Sequence, residues 1–265
     1  MKKNLISLLI IFAITAAGQP QPELQIQIGH YSDVLGLAFS PDGNIICSSG
    51  DDGTIKLWNV ATGKLVRTLS GHKSAVNEVV FTPDGTKIAS CSNDNSVKIW
   101  DVEKGTLIRN LEPKGKSWIQ SLAVSPDGKY VIAGIPAFIV QWNLETGAEQ
   151  MVIQGHTSDI NTVKYSANGH FIYSVSGNDQ TFCKWDATNG SNIWRKELKM
   201  NRFQTIFDFS ADGKNLVSNA FDYGWILWDE ANGKKKKTIE NTEAGYIRKL
   251  AVSKNNLLAT ACGYK

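Results

Sequence analysis

His30, Ser48 and Asp52 are the three side-chain types that make a nucleophilic triad: a base, a hydroxyl and an orienting carboxylate. The same types return 42 residues on as His72, Ser90 and Asp94, and a partial third set holds His156, Asp179 and either Ser174 or Ser176. A reaction centre copied along one chain is unusual, and no Gly-x-Ser-x-Gly elbow is present to aim a serine. The four histidines, His170 included, form no metal-ligand spacing. Asp33, Asp51 and Asp52 could suggest calcium but lack the spacing of an acidic cation loop, and read better as turn caps. Asp208 and Asp212 also read as turn residues. The expectation is no catalytic residue, no metal and no cofactor.

The elements that must position these residues are short strands. Trp58, Trp100, Trp142, Trp185 and Trp228 recur at spacings of 42, 42, 43 and 43 residues. In register with them stand Pro41-Asp42-Gly43, Pro83-Asp84-Gly85, Pro126-Asp127-Gly128, Ala167-Asn168-Gly169 and Ala211-Asp212-Gly213. Proline presets φ and glycine supplies φ > 0, so each is a hairpin turn. A second glycine turn follows every tryptophan, at Gly63, Gly105, Gly147, Gly190 and Gly233. Each period therefore holds four strands and no helical periodicity. One such unit cannot bury both faces of its sheet, which predicts a circular stack of blades.

With these motifs in register, the chain resembles the WD-repeat (WD40) β-propeller family. The matching residues are Gly29-His30, Asp52 and Trp58-Asn59; Gly71-His72, Asp94 and Trp100-Asp101; Gly155-His156, Asp179 and Trp185-Asp186; then Asp222 and Trp228-Asp229. The resemblance covers residues 24–265 and implies an all-β fold of five full blades plus a partial sixth. It also implies that His30, Ser48, Asp52 and Trp58, with their counterparts in later repeats, form structural networks that pin each blade. The third and fifth repeats depart from the pattern: Lys114-Gly115-Lys116 and Met200-Asn201 replace Gly-His, and Pro136 replaces the turn aspartate. Looser internal wiring is expected there. The sixth repeat begins near Glu243, and its tryptophan falls due beyond Lys265. The chain is therefore expected to be part of a longer product, with Leu24–Ile28 as a ring-closing outer strand.

Residues 1–18 join Lys2 and Lys3 to an apolar run and end in small residues, the pattern of a cleaved bacterial-type signal peptide. Residues 19–23 form a leader, and 24–265 the propeller. Export to the periplasm or medium is the expectation, without stable membrane insertion after cleavage. Beyond Lys2 and Lys3, 26 basic and 25 acidic residues leave +1, no basis for nucleic-acid binding. Cys47, Cys91, Cys183 and Cys262 lie in separate repeats and read as buried free thiols. Lys234 to Lys237 reads as a solvated outer strand whose lysines deter edge pairing, with an anion-binding patch as the alternative.

By resemblance, function resides on the narrower face around the channel, at residues flanking each inner strand. Asp33, Trp118, Gln120, Asp159, Phe203, Tyr246 and Arg248 are the candidate partner-binding positions, and aromatic and Arg side chains are the types enriched in interface hot spots. Trp118 and Phe203 could instead pack locally in the degenerate blades. The expected function is a monomeric, non-enzymatic scaffold for a protein or peptide. The alternative is a recognition module of a larger exported enzyme, such as a caspase-like peptidase. A catalytic propeller, such as a lactonase or quinoprotein, fits the Gly-His/Trp-Asp signature poorly.

Overall fold

The structure is a computed structural model that describes residues 29–115, 117–198, 205–219, 224–239, 247–253, 255 and 257–262. Residues 1–28, Phe203, Asp222 and Tyr246 fall outside that description, as does the side chain of Arg248. Expectations for the signal peptide, the closing strand and those side chains therefore lie outside it too.

Twenty-two strands and no helix make up the described residues. Blade 1 is β1 (Val34–Phe39), β2 (Ile45–Gly50), β3 (Thr54–Asn59) and β4 (Leu65–Ser70). Blade 2 is β5 (Val76–Phe81), β6 (Lys87–Ser92), β7 (Val97–Asp101) and β8 (Leu107–Leu111). Blade 3 is β9 (Ser121–Val124), β10 (Tyr130–Ile135), β11 (Phe138–Asn143) and β12 (Glu149–Gln154), and blade 4 is β13 (Thr162–Tyr165), β14 (Phe171–Ser176), β15 (Thr181–Asp186) and β16 (Asn192–Glu197). Blade 5 is β17 (Phe207–Phe209), β18 (Asn215–Asn219), β19 (Trp225–Asp229) and β20 (Lys235–Ile239), followed by the pair β21 (Ile247–Val252) and β22 (Leu258–Cys262). Every sheet is an antiparallel meander in chain order, and the first strand is innermost. The turn chemistry explains the meander: Ser40, Thr82, Ser125, Ser166 and Ser210 each bond the aspartate or asparagine two residues on, closing the first hairpin of their blades.

Alternation along the strands gives each blade two apolar faces. In blade 2, Val79, Ile88 and Trp100 pack against Cys47, Ile55, Leu57 and Leu69 of blade 1, all buried. The same stacking of a tryptophan-bearing face on the preceding blade recurs between blades 3 and 4 and between blades 4 and 5. Blade 1 is different. Leu37 and Phe39, on its tryptophan-bearing face, are each 62% exposed, and Trp58 is only half-buried.

Two sets of bonds between neighbouring blades were not foreseen from the sequence. At the inner strands, a side chain of one blade meets the backbone of the next: Glu78 accepts from the amide of Leu122 (2.9 Å), Ser121 from that of Val163 (3.1 Å) and Asp208 from that of Val252 (2.9 Å). Asp208, expected in a turn, thus lies in β17, and it also pairs with Lys164 at 2.6 Å. Its strand is short, and sequence alone offered no inner-strand neighbour to claim the carboxylate. At the rim, Arg67 donates to the carbonyls of Glu103 and Lys104, and Arg109 to those of Leu144 and Glu145. Trp194 takes the corresponding place in blade 4 and donates to the carbonyl of Glu230 at 3.4 Å.

Cys47, Cys91 and Cys183 are buried free thiols. Burial raises the Cys183 thiol to about 12. The lysine run lies along β20, every residue of which is exposed, and Lys236 pairs with Asp229 at 2.9 Å. Among the described residues no helix is long and apolar enough to cross a membrane.

Candidate functional site

The triad-like sets do assemble, one in each of blades 1, 2 and 4. In blade 2, His72 Nδ1 lies 2.9 Å from Asp94, His72 Nε2 lies 2.8 Å from Ser90 Oγ, and Trp100 Nε1 donates to the same Oγ at 2.8 Å. Blade 1 repeats this with His30, Asp52, Ser48 and Trp58 at 2.8 to 3.0 Å. Blade 4 uses His156, Asp179, Trp185 and Ser174, which settles the hydroxyl position in favour of Ser174.

One proton arrangement satisfies every member. The indole N–H donates to the serine oxygen, the serine O–H donates to Nε2, and Nδ1–H donates to the carboxylate. That arrangement requires a neutral imidazole. For His72, burial lowers the pKa and outweighs the opposing pull of Asp94, so this contact is a hydrogen bond of a neutral ring rather than an ion pair. Burial works against the Asp94 carboxylate as well, but the Ser96 hydroxyl, the Lys73 amide and His72 together bring it to about 2. Asp179 is likewise near 2: its burial is outweighed by His156, Thr181 and the Thr157 amide.

The geometry resembles a charge-relay triad but cannot act as one. Ser90 and Ser174 are fully buried, and each oxygen already accepts an indole N–H, so neither hydroxyl is open to a substrate.

The degenerate blades are wired differently. In blade 3 the strand register puts Ala133 where blades 1, 2 and 4 have serine, and the Pro136 turn carries Ala137 at φ 67°. Blade 5 keeps half of the pattern: Trp228 Nε1 donates to Ser218 Oγ at 2.9 Å. Ser218 was missed, although its position ten residues before the tryptophan matches that of Ser48 and Ser90.

Four of the candidate partner-binding residues lie in described loops leading into inner strands. Trp118 and Gln120 precede β9, Asp33 precedes β1 and Asp159 precedes β13. Trp118 is 66% exposed and is the one exposed tryptophan of the eight. Gln120 Oε1 accepts from Asn161 at 3.2 Å, and Asn161 Oδ1 accepts from the Gly177 amide at 2.7 Å. Asp33 is exposed and Asp159 half-buried, and no described hydrogen bond joins either side chain to Trp118. On blade 4, Asn178, Asp179, Gln180, Thr181, Arg195 and Glu197 line an open polar cleft of about 480 Å³. Arg195 was not singled out from the sequence; its guanidinium reaches the Gly155 carbonyl and stands 4.0 Å from Asp179.

Antiparallel four-stranded blades stacked tryptophan face to apolar face, with His–Ser–Asp–Trp wiring inside them, define a β-propeller of WD type. Comparison with known proteins agrees. The family model described as "WD domain, G-beta repeat" matches residues 21–59 and 63–101, and that described as "NWD2 C-terminal beta-propeller" matches residues 86–254. The small ribosomal subunit protein RACK1 of Drosophila melanogaster is 37% identical over 229 residues, 85% of this chain and 69% of that protein. Periodic tryptophan protein 2 homolog of Mus musculus is 35% identical over 81% of this chain, and periodic tryptophan protein 2 of Arabidopsis thaliana 30% over the same share. The chain belongs to the WD-repeat β-propeller family. It spans about a quarter of the length of those two periodic tryptophan proteins, 23% of the Mus musculus protein and 24% of the Arabidopsis thaliana one.

Proposed function

We propose that this chain is a non-enzymatic scaffold that holds a protein or peptide on the face where loops enter the inner strands. The observation that carries this reading is Trp118: seven tryptophans are buried or half-buried in the blades, and this one stands in solvent in the loop leading into β9. An exposed indole of that size covers no core and is the type of side chain that anchors an interface. Asp33 and Asp159 on the same side supply polar rim positions. The sealed serines support binding over hydrolysis, and membership of a family containing a ribosomal subunit protein fits a role within an assembly.

Residues 1–18 carry the charge, apolar run and small residues of an export signal, so the same reading places the scaffold outside the cytoplasm. The test compares wild type with Trp118→Ala by quantitative crosslinking in extract of the source cell, alongside thermal unfolding. A bound set lost at unchanged melting temperature supports the reading. An unchanged bound set with a lowered melting temperature makes Trp118 a packing residue and rejects it.

A further inference from the structure

Blade 5 departs from the other four along its outer strand. The register places of Lys234 to Lys237 are held by Lys64-Leu65-Val66-Arg67 in blade 1 and by Thr106-Leu107-Ile108-Arg109 in blade 2. Blade 3 has Ala148-Glu149-Gln150-Met151 there, and blade 4 Ser191-Asn192-Ile193-Trp194. All five strands are outermost in their sheets and share a bulge at the tryptophan pair. Four of these edges stand with one lysine between them at these places, so edge protection does not account for four in a row. Folding does not require the lysines either, since apolar, polar and acidic residues fill the same places. Arg67 and Arg109, the strand cations of blades 1 and 2, are occupied by carbonyls of the next blade.

Two further lysines gather at the same corner. Lys196 of β16 lies against the turn that precedes β20: a Cβ on Gly233 would stand 2.8 Å from its Cε. Lys214 precedes Asn215, whose Oδ1 accepts from Lys236 at 2.7 Å. The carboxylates here are already engaged. Glu230 pairs with buried Lys184 at 2.6 Å, Asp229 pairs with Lys236, and Asp212 accepts from Ser210 and from the Lys214 amide. Six lysines are thus concentrated in a chain whose total formal charge is only +3, which makes this corner the place that draws an anion.

The arrangement selects among anions. On a strand the lysines follow one another at about 3.3 Å per residue, a line up the rim rather than a plane. The line ends at the exposed Ile239. As the last strand of its sheet, β20 also presents main-chain groups that an extended polypeptide can match and a glycan, a nucleic acid or a lipid headgroup cannot. Lysine ammoniums are point charges suited to single carboxylates, whereas phosphate recognition favours the guanidinium fork, which none of these six residues has.

We infer that β20 is a docking edge for an extended acidic segment of a protein partner. Its carboxylates face Lys234, Lys235 and Lys237, an apolar residue at its end lies on Ile239, and Lys196 and Lys214 flank the line. The same lysines repel the β20 of a second copy, so the charge that attracts this partner also excludes self-pairing. The surface is separate from Trp118 and goes beyond the reading built on it.

The test titrates the purified chain, by fluorescence anisotropy, into a labelled peptide in which glutamate alternates with threonine and leucine ends the run. A second peptide carries glutamine for every glutamate. Labelled oligothymidylate, and vesicles of phosphatidylglycerol and phosphatidylcholine assayed by cosedimentation, represent the other anions. The variants are Lys234→Glu with Lys235→Glu, Lys64→Glu at the first of these places in blade 1, and Trp118→Ala. The double variant should weaken the acidic peptide about tenfold or more at unchanged melting temperature, and the two single variants should leave it unchanged. The glutamine peptide should bind at least about tenfold more weakly to wild type, an arm that decides the question even if a variant unfolds. Equal weakening by Lys64→Glu, or indifference to the glutamine replacement, overturns the inference. So does tighter binding of oligothymidylate or of the vesicles that the double variant abolishes, which would give the corner to a different anion. Failure of folded wild type to bind the acidic peptide overturns it as well, and each of these outcomes leaves the Trp118 reading standing.

Discussion

Ser90 holds two polar groups that would otherwise be stranded inside blade 2, the indole N–H of Trp100 and Nε2 of His72. Removing its hydroxyl leaves both in a dry environment, at a cost of about 1–3 kcal/mol. Ser90→Ala is therefore expected to lower the urea midpoint while leaving any background ester hydrolysis unchanged; a hydrolytic rate that fell with the substitution would reopen the catalytic reading. The same wiring sets a pH dependence. His72 has a folded pKa below its usual 6.5, so the folded state resists its protonation and the unfolded state takes the proton more readily. Its contribution is complete above about pH 6.5 and is lost as the pH falls below that value. Asp94 and Asp179, held near 2 against the usual 3.8, contribute a second loss as the pH falls through that interval. Urea unfolding at about pH 7.5, 6 and 5 should show the first decline before any carboxylate titrates. A midpoint constant down to about pH 5 would mean that the imidazole is charged in the fold and the proton arrangement is reversed. All the members of these networks in blades 1, 2 and 4 were legible as residue types. Their sealed state was not, because burial of a serine oxygen beneath an indole depends on how a neighbouring blade packs.

The strands themselves were legible from alternation, turn glycines and the tryptophan period, since each is set by residues close in sequence. The side-chain bonds between blades were not, because they join residues 35 to 57 positions apart with no shared motif. Asp208 illustrates this. As one more aspartate near an Ala-Asp-Gly turn it looks like a cap, yet its carboxylate accepts from Val252 of the next unit and from Lys164 of the previous one. Asp208→Ala should strip the partner from the Val252 amide and leave Lys164 uncompensated, which predicts a loss of about 1–3 kcal/mol and faster hydrogen exchange along β21. Asp208→Asn keeps an acceptor for the amide and should recover part of that protection. Unaltered exchange in the alanine variant would remove Asp208 from the account of how these units are joined.

At the scale of the whole molecule, one repeat position can be worth very different amounts. Leu37 faces Ser48 in blade 1, and Leu122 faces Ala133 in blade 3, the same place in the register. Leu122 is 2% exposed and Leu37 62%. Leu122→Ala should cost about 2–5 kcal/mol and Leu37→Ala less than about 1. Equal costs in thermal unfolding would mean that the flank of blade 1 is covered in solution. No reading of the repeat could separate the two leucines, since they serve the same role in the alignment of one repeat with another. What the sequence determined by itself was the blade: local turns, period-two alternation and a tryptophan every 42 or 43 residues are short-range constraints that any stretch of chain carries with it. Tertiary structure alone decided which hydroxyls are sealed, which carboxylates join neighbours and which tryptophan is left in water. Those are properties of surfaces brought together from distant parts of the chain, and burial, which sets their chemistry, exists only once the blades have stacked.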